Sequence, residues 1–87
     1  MSTISGAVQF VPTGATSVTL KNTSNSDNRP MFPRYLDADC NTLSQEDGNT
    51  TVVGNTKVYT LPSGTKKVSF LFSGGSVSSY SAEATFN

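Results

Sequence analysis

The stretch Tyr59–Phe72, YTLPSGTKKVSFLF, decides the fold. A half-buried strand ends at Leu61, Pro62, Ser63 and Gly64 turn the chain, and a second strand runs from Lys66 into Phe72. In that second strand Val68, Phe70 and Phe72 share one face, and Lys67, Ser69, Leu71 and Ser73 share the other. Period-two alternation of β-branched and aromatic residues is the pattern of a strand with one face in a core.

Working outward, the same alternation recurs along the chain. Thr3–Val11 reads as a first strand, with Ile4, Val8 and Phe10 inward around Gly6, and Ser5, Ala7 and Gln9 outward. Ser17–Lys21 is a second, with Val18 and Leu20 inward. Asn22–Asn28 has no apolar member and reads as an exposed loop. Pro30 and Pro33 flank Met31 and Phe32, a segment expected to be extended but not a central strand. Arg34–Cys40 is a third strand, with Leu36, Ala38 and Cys40 on one face and Tyr35, Asp37 and Asp39 on the other. Asn41–Thr50 is a polar loop with a tight-turn signal at Asp47–Gly48. Thr51–Val53, Lys57–Leu61, Lys66–Ser73 and Ser79–Asn87 complete about seven short strands. The last carries Tyr80, Ala82, Ala84 and Phe86 inward.

Short strands at this spacing, with no helical period, predict an all-β fold: a single small antiparallel β-sandwich over residues 1–87. The expected core is Ile4, Val8, Phe10, Val18, Leu20, Leu36, Val58, Val68, Phe70, Phe72, Tyr80 and Phe86. No internal repeat of useful length is apparent.

Composition narrows function. Charged residues are 14% of the chain and the net charge is zero, so hydroxyls and amides supply the polar surface. Nucleic-acid binding calls for a basic excess, which is missing. No apolar run is long enough for a membrane span. Ser2 and Thr3 follow Met1 without a basic or apolar leader region, which points to a virion or cytoplasmic assembly. The single cysteine, Cys40, rules out an intrachain disulfide and is expected to be a small buried hydrophobe.

The chain has no histidine, which removes the commonest general base and metal ligand. No nucleophile elbow, phosphate loop or dinucleotide fingerprint occurs among its thirteen Ser and twelve Thr, so the expectation is no enzyme and no cofactor. Asp37, Asp39 and Asn41 alternate as the first ligands of a calcium loop do, but Thr42 and Gly48 break that loop, leaving a weak calcium candidate of Asp37, Asp39 and Asp47, with Glu46 nearby. Arg29, Met31, Phe32, Arg34 and Tyr35 interleave cations with aromatics and a thioether, a composition enriched in protein–protein interfaces. Asn22-Thr-Ser and Asn49-Thr-Thr match the glycosylation sequon but are expected by chance in so Asn- and Thr-rich a chain.

Ser17–Ser24 (SVTLKNTS), Leu61–Phe70 (LPSGTKKVSF) and the final Ser78–Phe86 strand together resemble immunoglobulin-like domains of the bacterial cell-adhesion-related type. The likeness spans residues 17–87 in spacing and residue class, without the inter-sheet cysteine pair and buried Trp of antibody-type domains. It implies an Ig-like sandwich serving as a spacer, adhesion or assembly module, with no active-site residues to carry over. The functional expectation is a non-enzymatic structural protein in a multimeric assembly, partnered by itself or a larger body. A virion component such as a phage capsid decoration or minor structural protein fits. A carbohydrate- or surface-binding module using Tyr35 or Phe32 is the alternative, and a protease inhibitor presenting Asn22–Pro33 is a third.

Overall fold

The computed structural model describes residues 2–3 and 8–87. Eight strands form among the described residues: β1 (Ser2–Thr3), β2 (Val8–Phe10), β3 (Ser17–Asn25), β4 (Met31–Leu36), β5 (Thr42–Gln45), β6 (Thr56–Thr60), β7 (Lys67–Phe72) and β8 (Tyr80–Phe86). They make two four-stranded antiparallel sheets, in the orders β1-β8-β3-β6 and β2-β7-β4-β5. The chain is the small antiparallel sandwich that its alternation predicts. The stretch Tyr59–Phe72 is its crossing point, since β6 lies in the first sheet and β7 in the second.

The core between the sheets is Val18, Leu20, Met31, Tyr35, Tyr59, Val68, Ala82 and Ala84, with Val11, Leu61, Phe70, Phe72 and Phe86 packed at its margin. Full burial of one aliphatic side chain contributes about 1.5–3 kcal/mol over exposure, so the aliphatic members of this set carry much of the stability. Phe72 meets Tyr80 edge-on, ring centroids 5.3 Å apart.

Several expectations are corrected. Ile4 lies outside the described residues, but Val8 and Phe10 face solvent, Phe10 being 76% exposed. The cause is register: Gln9 pairs with the inward Val68, so its neighbours must point out. Val58 is 62% exposed for the same reason, because it pairs with Thr19 while Tyr59 sits opposite the buried Val18. Tyr80 is 40% exposed, at the start of β8.

The predicted loop at Asn22 is instead the continuation of β3. Asn22 is fully buried, and its amide donates to Arg29 O at 3.1 Å and Thr51 O at 2.9 Å. Asn25 then closes the turn, accepting from Arg29 N at 2.7 Å and donating to Arg29 O at 2.9 Å.

The double-proline segment is also a strand, and a central one: β4 lies between β7 and β5. Pro33 is tolerated because β5 ends at Gln45, opposite Arg34, and bridging on that side resumes only at Met31–Thr51. Pro33 O still accepts from Glu46 N at 3.1 Å, so the ring occupies a gap in the ladder and costs one donor only. β4 stops at Leu36, and residues 37–40 form a turn instead of the predicted strand end. Thr42–Gln45, expected in a loop, is strand β5, while Thr51–Val53 contributes only a bridge.

The two sheets are built from two equivalent halves, β1–β4 and β5–β8. Exchanging β1 with β5, β2 with β6, β3 with β7 and β4 with β8 converts one sheet order into the other, read from its far end. The register obeys the exchange for β2 with β6, β3 with β7 and β4 with β8, while β1 and β5 lie along different stretches of their partners, β1 opposite Ala84 and Glu83 and β5 opposite Arg34 to Leu36. Val18 pairs with Tyr59 as Val68 pairs with Gln9, and Thr19 with Val58 as Ser69 with Val8. Likewise Val18 pairs with Phe86 as Val68 pairs with Tyr35. The relation exposes a repeat hidden in the sequence: Val8, Pro12, Gly14 and Val18 correspond to Val58, Pro62, Gly64 and Val68. Both turns close identically, Ala15 N on Pro12 O at 3.1 Å and Thr65 N on Pro62 O at 3.2 Å. Gly14 and Gly64 hold φ of 87° and 88°, a left-handed conformation that glycine adopts without Cβ strain. An intervening motif of turn plus amphipathic strand thus occurs twice, and each copy carries the chain from one sheet to the other.

Candidate interaction surface

The five residues singled out as an interface cluster do not form one. Met31, Phe32 and Tyr35 are buried. Met31 and Tyr35 enter the core, and Phe32, on the opposite face of β4, lies across from Leu71 of β7. They are apolar because a central strand covered on both faces needs apolar residues on both. Their burial also removes the two rings that sugar stacking requires. The Tyr35 hydroxyl donates to Glu46 Oε2 at 2.8 Å; burial first, and that hydrogen bond second, raise its pKa far above the usual tyrosine value.

The two arginines are half-exposed and already engaged. Arg29 Nη1 donates to Ser73 O at 3.4 Å and its Nε lies 3.8 Å from Asp27. Arg34 Nε donates to Gln45 Oε1 at 2.7 Å, so each pins neighbouring backbone or side chain in place.

The calcium candidate also disperses. Asp37 Oδ1 accepts from Asp39 N and Asn41 N, each at 2.9 Å, and its Oδ2 accepts from Asn41 Nδ2 at 3.3 Å. The Asn41 backbone bond, ahead of the others, holds the Asp37 carboxyl below its ordinary pKa. This is an Asx-type turn that joins β4 to β5. Asp47 is instead hydrogen-bonded by Gln45 Nε2. Among the described residues no three His, Cys, Asp or Glu side chains converge as metal ligands. Cys40 is exposed instead of buried, at φ 65° in the turn, and Lys67 Nζ donates to its Sγ at 3.3 Å.

Two features remain that residue type alone did not reveal. One is a groove of about 310 Å³ between Val11–Thr16 and Leu61–Lys66, the two equivalent turns, which places it on the pseudo-twofold axis. The other is the edge strand β6, flanked by β3 on one side only. Leu61 N donates to Thr16 O at 2.9 Å and Asn22 N to Asn55 O at 3.1 Å. Counting by twos between those bonds turns the backbones of Lys57 and Tyr59 toward β3 and those of Thr56, Val58 and Thr60 away from it. All three of the latter residues are exposed. The inner side chains of β6 are fixed: Tyr59 Oη donates to Asn49 O at 2.7 Å, and Lys57 Nζ donates to Thr50 O at 2.9 Å. The signal for this edge was the alternation Thr56-x-Val58-x-Thr60, which reads the same in both directions.

No family model, curated protein or solved structure matches the chain. Among the described residues no helix is long and apolar enough to cross a membrane.

Proposed function

We propose that the chain is a non-enzymatic structural protein that packs into or onto a multimeric assembly, in a virion or cytoplasmic setting, as a capsid decoration or minor structural protein does. The observation that carries this reading is the unguarded edge of β6. Natural sandwiches blunt their edges with charge, proline, bulges or a covering loop. Thr56, Val58 and Thr60 offer none of these on the open side, and Lys57, the one charge on the strand, is tied to Asn49 and Thr50. Phe10 and Val8 on β2, the equivalent edge of the second sheet, are exposed as well. Edges of this kind favour strand addition from a neighbour. Light scattering of the full chain across a concentration series, run beside a glycan array, tests the reading. Association or particle binding without glycan signal is expected; a monomer that binds sugars would overturn it.

A further inference from the structure

We propose that β6 pairs with β6 of a second copy of this chain, antiparallel and centred on Val58, joining the two first sheets into one continuous sheet; this rests on the assembly reading above. The argument is self-complementarity. An isologous contact needs each residue to meet an acceptable partner when the strand is laid against its own reverse. Centred on Val58, the strand Thr56-Lys57-Val58-Tyr59-Thr60 places Val58 on Val58, Thr56 on Thr60 and Lys57 on Tyr59. β-branched pairs stabilise antiparallel strands, and no like charges face each other.

The backbone fits the same centre. Thr56, Val58 and Thr60 are the residues whose N–H and C=O point outward. In an antiparallel pair, outward-facing residues that oppose one another exchange both N–H···O bonds. The pairing centred on Val58 opposes only such residues, so every outward group of the three finds a partner. A register slipped by one residue, centred between Val58 and a neighbour, would oppose outward groups to inward ones and satisfy none, and a centre on Lys57 or Tyr59 would pair only two of the three with each other.

Side-chain placement agrees. Val58, at 62% exposure, lies on the outer face in the row Val58–Thr19–Thr85. The joined sheet would extend that uncharged row across the copy boundary. The equivalent edge β2 is shorter: Val8-Gln9-Phe10 has three residues, and a self-pairing centred on Gln9 exchanges backbone bonds only between Val8 and Phe10. The contact is an edge and not a face, so it is smaller than a standard interface and concentration-dependent.

The test uses three full-length proteins: wild type, Val58→Lys and Val58→Asp. Position 58 is exposed, so circular dichroism and the melting midpoint of both variants stay near wild type. Sedimentation velocity is expected to show wild type approaching twice the monomer mass with concentration. Each variant alone, with like charges directly opposed, associates at least tenfold more weakly. An equimolar mixture of the two recovers association, because opposite charges then face each other. If wild type associates and the variants associate equally well, the β6 pairing is wrong while the assembly reading stands. If the mixture fails to recover association, the register centred on Val58 is wrong. If wild type stays monomeric and the glycan array is positive, both fall.

Discussion

At the scale of single residues, polar side chains do structural work that their chemistry hid in the sequence. Asn22 is the clearest case: a residue type that marks loops is buried here because it bridges the backbones at Arg29 and Thr51. Replacing Asn22 by Ala would leave both carbonyls without that donor, a cost of about 1–3 kcal/mol. Replacing its exposed neighbour Thr23 would change stability by less than about 0.5 kcal/mol; urea unfolding of the two variants measures the contrast. Tyr35 supplies a pH dependence. Its folded pKa is raised, so the folded protein keeps the proton at pH values where the unfolded chain loses it, near pH 10. The stability it contributes is complete below that pH and declines as pH rises above it. Urea midpoints between pH 8 and 11 should therefore fall, and should fall less steeply in Tyr35→Phe.

Among the elements, the alternating strands were legible and the interrupted ones were not. β7 and β8 could be read to within a residue or two because consecutive inward positions are apolar and glycine turns bound them. β2 and β6 could be placed but not oriented. β6 carries an apolar residue on each face and β2 carries its apolar pair on the outward one, so only the pairing partner, Val68 or Val18, decides which face turns inward. β4 was obscured by Pro33, whose missing donor is harmless only at the gap beyond the end of β5. The candidate site fared worse, because interface composition and core composition coincide in Met31, Phe32 and Tyr35, and residue type cannot separate them. The two equivalent turns yield a prediction at this scale. A Cβ at Gly14 would meet nothing within 4 Å, and one at Gly64 only Leu43 Cδ1 at 4.0 Å. Gly14→Ala and Gly64→Ala should therefore cost the same, about 1–2 kcal/mol each, from backbone strain alone. Thermal melts showing one costly and the other neutral would break the equivalence.

For the whole molecule, two interlocked halves mean that neither sheet can form from one half of the chain: β1 and β3 share the first sheet with β6 and β8. The Asp37–Asn41 connection between β4 and β5 is then the counterpart of a link from β8 to β1, which already pair through Ser2–Ala84 and Thr3–Glu83. A circular permutant with Asn87 joined to Ser2 by a short Gly-Ser linker and opened between Ala38 and Asp39 should keep the β-sheet circular dichroism and melt cooperatively. The same architecture leaves two edge strands on each sheet, β1 and β6 on the first and β2 and β5 on the second, and the account of function rests on β6. Amide hydrogen exchange, read at single residues and repeated over a dilution series, tests that account most directly. The amides of Tyr59 and Leu61, which face β3, should stay protected at every concentration. Those of Thr56, Val58 and Thr60 should gain protection only as concentration rises. Fast exchange at these three amides at every concentration, in a protein that nonetheless associates, would contradict it.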